Sequence, residues 1–279
     1  MSISFVKMVG SGNDFVLIDR RRKGKISRAE GAKLAPLETR FLTGLARKLC
    51  DRRFSIGADG VLILEPSRKA DFRMKIFNPD GSEAEMCGNG SRCAAYYVTG
   101  GRGRVTFETL AGLLEAQVRG TLVKVKLPKP HSFRRNLKAT VCGKRLTLHS
   151  IIASVPHAIL FVENPNRIDV ECWGEEIRHH KLFRPRGANV DFVKVRGKRV
   201  IEIRTYERGV EGETLSCGTG STASALVSAK LHGLRSPITV LTKSGEQLRI
   251  YFKETRDGFE DVRLEGRVRQ VFEGRINDV

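Results

Sequence analysis

The chain has 279 residues, 40% of them in the apolar set AVILMFWYC, enough for two cores of ordinary size and too apolar for a disordered chain. No apolar run reaches the roughly 18 residues of a spanning helix: the best candidate, Ile151–Val162, is broken by Pro156 and His157, and no signal-peptide pattern opens the chain, so a cytoplasmic protein without a membrane segment is expected. The 50 Lys+Arg against 31 Asp+Glu give +19, a field that attracts anions; yet the basic residues scatter, cluster only at Arg20–Lys25 and Arg134–Lys138, and lack the interleaved aromatics of a strand-binding groove, which argues against nucleic acid.

Along the chain, Gly10-Ser-Gly12-Asn13-Asp14 has turn chemistry, which suits either a plain β-turn or a turn that places Asn13 at a pocket. Phe15–Asp19 reads as a strand, Leu37–Asp51 as a helix, and Gly60–Leu64 and Phe72–Phe77 as further strands. The segment Cys87-Gly-Asn-Gly-Ser91 then precedes a helix at Arg92–Thr99 and strands at Val105–Glu108 and Val123–Leu127. Pro128-Lys-Pro130 breaks the chain near its middle, and the domain link is expected there. Strands follow at Ala158–Val162, Asp191–Val195 and Val200–Tyr206. The first cysteine segment returns as Cys217-Gly-Thr-Gly-Ser221 before a helix at Thr222–His232. Thr109-Leu-Ala-Gly112 is echoed by Thr242-Lys-Ser-Gly245, and Val262–Leu264 repeats the strand at Val123–Leu127. Two long, similar halves predict duplicated domains rather than a solenoid. The reading is residues 1–127 plus 264–279 as an N-terminal domain carrying Cys87, and 128–263 as a C-terminal domain carrying Cys217.

Six cysteines without a Cys-x-x-Cys pair argue against a disulfide scaffold and a zinc module, and no metal site is expected. The chemistry concentrates in Cys-Gly-x-Gly-Ser. Its glycines permit close approach, and a helix opening there offers unsatisfied N–H groups that hold a carboxylate and lower a thiol's pKa. One cysteine of this kind is a common core residue. Two in duplicated settings suit inversion of an amino-acid α-carbon, with one thiolate removing a proton and the other thiol returning one, and no cofactor is required. Gly218-x-Gly220-x-x-Ala223 also fits a dinucleotide fingerprint, but Lys243 stands where an acid is needed. Glu207-Arg208-Gly209 is either a surface ion pair or an arginine for a carboxylate beside a carboxylate that tunes a thiol. His157 reads by default as a packed histidine, and His179-His180 as exposed loop residues.

The stretch Asn78-Pro-Asp-Gly-Ser-Glu-Ala-Glu-Met-Cys87-Gly-Asn-Gly-Ser-Arg-Cys93 closely resembles the first active-site motif of the diaminopimelate epimerases. Tyr206-Glu-Arg-Gly-Val-Glu-Gly-Glu-Thr-Leu-Ser-Cys217-Gly-Thr-Gly resembles the second. Lys7–Phe15, Asp51–Gly60, Pro156-His157-Ala and Asn189-Val-Asp-Phe fall in the family's order as well. The resemblance implies Cys87 and Cys217 as acid/base thiols, with Gly88-Asn89 and Gly218-Thr219 holding the reacting carboxylate. It implies substrate contacts at Asn13, Asn78, Asn189, Glu207 and Arg208, and thiol tuning by His157 and Glu207. It also implies an α/β (α+β) fold of two pseudo-symmetric domains, each a β-barrel-like sheet around a central helix, with the active site in the interdomain cleft. A homodimer without cofactor, acting on L,L-diaminopimelate in lysine and peptidoglycan-precursor synthesis, is the corresponding expectation. Val155 and Gly60 depart from the Asn and Gln that some members carry, and Val210-Glu211-Gly212 includes one extra residue. The alternatives are a related racemase of another amino acid, such as histidine, and a basic non-catalytic RNA-binding or scaffold protein.

Overall fold

A computed structural model describes residues 2–21 and 39–277. Arg22–Lys25 of the first basic cluster and the start of the expected helix at Leu37 lie outside the described residues. The chain divides into two compact units, residues 1–123 with 267–279, and residues 124–266. The division falls inside strands, and Pro128-Lys-Pro130 forms the short connection before residue 131.

In the first unit, β1 (Ile3–Gly10) and β2 (Asn13–Asp19) form a hairpin. Its two-residue turn, Ser11-Gly12, has positive φ at both positions, 54° and 91°, the geometry that matches strand twist in a tight hairpin. After α1 (Thr39–Cys50), β3 (Gly60–Glu65) lies parallel to β2, and β4 (Phe72–Phe77) antiparallel to β3. Next come the short β5 (Glu83–Ala84), α2 (Gly88–Thr99), and the hairpin of β6 (Arg102–Thr109) and β7 (Gly112–Arg119). The strand β8 (Leu122–Lys126) follows, and the chain's last strand, β17 (Gly258–Ile276), pairs its residues 268–276 with β1. The sheet β1-β2-β3-β4-β6-β7-β8-β17 closes into an eight-stranded barrel, and α2 packs against its strands from inside.

The near-continuous apolar runs Phe15–Ile18 and Val61–Leu64 follow from this arrangement, because both faces of β2 and β3 are covered. Val16, Ile18, Val61 and Ile63 pack with Leu42, Leu45, Ala46 and Leu49 of the outer helix α1. A Cβ on Gly90 of α2 would meet Leu62 and Phe15 on the other face. The strand period of two therefore sorts residues between the two helices.

The second unit repeats the plan. The hairpin of β9 (His131–Val141) and β10 (Lys144–Ala153) leads to β11 (Val155–Phe161), which precedes α3 (Val170–Arg178). The strands β12 (Asn189–Gly197), β13 (Val200–Glu207) and β14 (Gly212–Thr214) lead into α4 (Gly218–His232). Finally β15 (Ile238–Leu241) and β16 (Gln247–Thr255) form a hairpin, and β16 pairs with residues 258–265 of β17. The pairings β11–β12 and β13–β15 are parallel, matching β2–β3 and β4–β6. Every residue of Gly218–Ala229 is buried. That is why α4 shows small residues all round and no apolar stripe: the sheet surrounds it. The expected class, α/β with a barrel-like sheet around a helix in each half, is the observed one. Three helices begin or end within a few residues of the sequence reading, which names neither α3 nor the strands β1, β7, β9, β10, β15 and β16.

Candidate active site

Each central helix starts on a cysteine. Cys87 is the N-cap of α2 and Cys217 that of α4, both in extended conformation (φ −134° and −111°). In each, the thiol accepts a hydrogen bond from the N–H three residues on, Gly90 or Gly220, at 3.4 Å. A cysteine thus takes the place that Ser, Thr or Asp usually fills. The sequence reading starts these helices at Arg92 and Thr222; they begin at Gly88 and Gly218, so Gly88-Asn89 and Gly218-Thr219 form their first turns. The N–H groups there lack intrahelical acceptors and carry the positive end of the helix dipole.

In the first unit the β1–β2 turn delivers Asn13 to this helix end. Asn89 Nδ2 donates to Asn13 Oδ1 at 2.5 Å, and Asn13 Nδ2 donates to Asp59 at 3.0 Å. Asp59 and Asp14 are clamped by Arg52 at 2.7 and 2.6 Å, and Lys7 reaches Asp14 at 2.6 Å. Burial alone would raise the Asp14 pKa, but hydrogen bonds and charges from Arg52 and Lys7 win and hold it at about 2. The fully buried Arg92 of α2 ties the motif together, donating to Ser11 Oγ (2.7 Å), Asn89 Oδ1 (2.8 Å) and the Gly88 carbonyl (3.3 Å). Asn78 is exposed and donates to Ser82 Oγ within its own turn. Gly60, the departure at β3, has no room for a larger residue without adjustment: its Cβ would lie 3.0 Å from the Phe77 carbonyl.

In the second unit His157, Asn189, Glu207, Arg208 and Cys217 are joined through short contacts. His157 Nδ1 and Asp191 lie 2.8 Å apart with both side chains fully buried. Thr205 Oγ1 donates to Asp191 Oδ1 at 2.8 Å, Asn189 Nδ2 lies 3.4 Å from His157 Nε2, and the Arg208 backbone N–H donates to Asn189 Oδ1 at 2.8 Å. Glu207 accepts from Thr214 Oγ1 at 3.1 Å and from the Cys217 thiol. Burial raises the Glu207 pKa against those two hydrogen bonds. Burial, then the charges of Glu207 and Asp191, push the Cys217 thiol well above its ordinary value. Burial and the two carboxylates thus favour the protonated form of the Cys217 thiol. His180, read as a loop residue, caps a short 3-10 turn by accepting from the Leu182 N–H, while His179 is 61% exposed.

Asp191, Thr205, Thr214 and Arg92 are absent from the sequence-derived set. Asp191 had a signal: β12 alternates, so Asn189 and Asp191 share the face turned toward α4, while Val190 and Phe192 pack under α3 with Val170 and Ile177. Among the described residues there is no cluster of three His, Cys, Asp or Glu able to hold a metal. Nor is there a helix there long and apolar enough to cross a membrane.

A family model described as diaminopimelate epimerase matches residues 5–130 and 150–263. A diaminopimelate epimerase of Aquifex aeolicus is 43% identical, covering 99% of this chain and 98% of that protein. One of Archaeoglobus fulgidus is 41% identical over 100% and 99%. Among solved structures, a PhzF-family phenazine biosynthesis protein of Bacillus anthracis aligns over the whole of both chains with TM-score 0.73 at 16% identity. A hydroxyproline epimerase of Agrobacterium vitis aligns with TM-score 0.70 at 16% identity, over 99% of this chain and 91% of that one. At such identity the structural likenesses speak to fold alone, whereas the sequence matches run nearly end to end: the chain belongs to the diaminopimelate epimerase family.

Proposed function

We propose that this protein epimerises L,L-diaminopimelate to the meso form by two-base proton transfer at one α-carbon, with Cys87 and Cys217 as the two thiols. Family membership points to the substrate. The observation that carries the chemistry is the repeated cap: each cysteine sits on a helix N-terminus beside N–H groups suited to a carboxylate. Inversion needs a base on one face of the carbon and an acid on the other. The thiolate takes the α-proton, the opposite thiol delivers one, and the helix-end N–H groups stabilise the charge that develops on the substrate carboxylate. Cys217, held protonated, is the donor in the first half-reaction from the unliganded state. Gly88, Asn89, Gly218 and Thr219 hold the reacting carboxylate. Asn13, Asn78, Asn189, Glu207 and Arg208 contact the rest of the substrate, and His157 and Glu207 tune the thiols. The reaction draws on no cofactor. Lysine and peptidoglycan-precursor synthesis, a cytoplasmic location and a homodimer complete the proposal.

The test is incubation of the reduced protein with L,L-diaminopimelate in D2O. Meso product with deuterium at one α-carbon is expected. Cys87→Ser and Cys217→Ser should each lower turnover at least about 100-fold, the lower range for loss of an acid/base group. Full turnover in either variant refutes the two-thiol assignment, and turnover of another amino acid with none of diaminopimelate moves the substrate to a related racemase.

A further inference from the structure

Two further cysteines meet on the outside of the second unit. Cys142 is at the tip of the β9–β10 hairpin and Cys172 is in the first turn of α3, and their sulfurs are 2.8 Å apart. Side-chain heavy atoms in ordinary contact sit about 3.5–4.0 Å apart, so this approach is closer than packing requires.

The backbone fixes both sulfurs. Val141 pairs with Lys144, leaving Cys142-Gly143 as a two-residue turn with φ of 45° and 73°. Such turns favour Asn-Gly, and a cysteine with positive φ carries a conformational cost there. On the helix side, Asp169 caps α3 by accepting from the Cys172 N–H at 3.1 Å. Glu176, one turn beyond Cys172, accepts from the Cys142 N–H and so ties the hairpin tip to the helix. Ala139, Val141 and Leu148 of the hairpin share one core with Val170 and Ile177 of α3. The thiols thus meet because two packed elements bring them together, and the turn tolerates an unfavoured residue at the meeting point.

We propose that Cys142 and Cys172 form a reversible disulfide by exchange with a low-molecular-weight disulfide. The exposed Cys172, as thiolate, attacks the small disulfide, forming a mixed disulfide and expelling one small thiol. Cys142 loses its proton and attacks the Cys172 sulfur; the protein S–S bond forms and the second small thiol leaves. Two cysteines give up two protons and two electrons, and the small disulfide takes them up as two thiols. Hydrogen bonding to Cys172, burial and the neighbouring Glu176 push the Cys142 thiol up to about 12, and Cys172 is the more exposed of the two residues.

Within the second unit the bridge acts on the support of Cys217. Helix α3 braces the β13–β14 hairpin that bears Glu207: Glu171 accepts from the Glu213 N–H at 3.0 Å, and Arg178 pairs with Glu211 at 3.0 Å. Closing the loop from 142 to 172 anchors this brace and restricts the unfolded chain.

The experiment uses the full chain treated with oxidised glutathione at pH 8, alkylated, digested and mapped by mass spectrometry. A Cys142–Cys172 linked peptide that dithiothreitol reverses is expected. The melting temperature should rise by roughly 5–10 °C on oxidation. Cys172→Ser, on an exposed helix position, should lose both effects while keeping the reduced enzyme's turnover. Separate alkylation of Cys142 and Cys172 after oxidation, or glutathione retained on Cys172 without the link, overturns the proposal. A mapped link that leaves the melting temperature unchanged overturns its bracing role.

Discussion

Gly90 and Gly220 occupy the same position in the two cysteine motifs, so adding one methyl to each compares the two sites directly. A Cβ on Gly90 would approach Leu62 Cδ2 at 2.9 Å, the far end of a flexible side chain. Rotation of Leu62 can absorb that, and alanine gains up to about 1 kcal/mol over glycine in a helix. A Cβ on Gly220 would fall 2.3 Å from Asp191 Oδ1. That oxygen already accepts from Thr205 at 2.8 Å, while the other oxygen of the same carboxylate meets His157 at 2.8 Å, with no exposure on Asp191 or His157. The carboxylate cannot retreat without loosening one buried hydrogen bond. Overpacking costs about 1–3 kcal/mol and a disturbed charged hydrogen bond about 1.5–3. The expectation for Gly220→Ala is a loss of about 3 kcal/mol, roughly 10 °C in melting temperature, and a marked fall in turnover. Gly90→Ala should shift stability by less than about 1 kcal/mol. Denaturant and thermal unfolding of both variants decide it. Equal losses, or a neutral Gly220→Ala, would show that the Asp191 network does not constrain the second helix end.

Glu207→Gln removes a charge that raises the Cys217 pKa. Its thiol should therefore alkylate faster than wild type at pH 8, with the rate's pH profile moved toward lower pH; an unchanged profile refutes the electrostatic link. Asp14, held at about 2 against an ordinary 3.8, contributes stability that is fully present above pH 4 and is lost as pH falls toward 2. The shift corresponds to about 2 kcal/mol at most, and nearer 1 because Arg52 is largely exposed. Asp14→Asn should abolish that part of the acid slope in urea titrations between pH 5 and 2; a variant as acid-sensitive as wild type counts against the clamp.

Both halves of the fold announce themselves where chemistry and pattern coincide. The glycine-bounded cysteine segments read as helix starts, and the buried parallel strands read as apolar runs because both faces are covered. Other elements hide for physical reasons. The β9–β10 hairpin carries Arg134, Arg135, Lys138, Lys144 and Arg145 on largely exposed positions, so its alternation looks like a charged surface. The nine-residue α3 contains Gly174 because a Cβ there would lie 2.4 Å from the Tyr206 ring, and a glycine in a short helix weakens its pattern. Site residues such as Asp191 and Thr205 lie on strands whose other face is core. Their polarity is visible in sequence, but their pairing depends on strand register: Thr205 stands opposite Asp191 across β12 and β13, and His157 comes from β11 on the other side.

The two motifs share backbone and cap yet differ in what surrounds them, at Asn89 against Thr219 within the repeat and at the residue just past it. Where the first has Arg92, the second has Thr222. Both side chains reach the carbonyl at the start of their helix, Gly88 at 3.3 Å and Gly218 at 2.9 Å. The arginine brings a buried guanidinium to the Cys87 end; the threonine brings none to the Cys217 end, where Glu207 and Asp191 supply carboxylates instead. A cation near a helix N-terminus favours a thiolate, whereas nearby carboxylates favour a thiol. Duplication accounts for two thiols in matched backbone settings; divergence at one position, together with two strand residues, accounts for opposite charge environments. Two-base inversion needs one proton shared between two thiols, and a difference in charge environment biases which of them carries it.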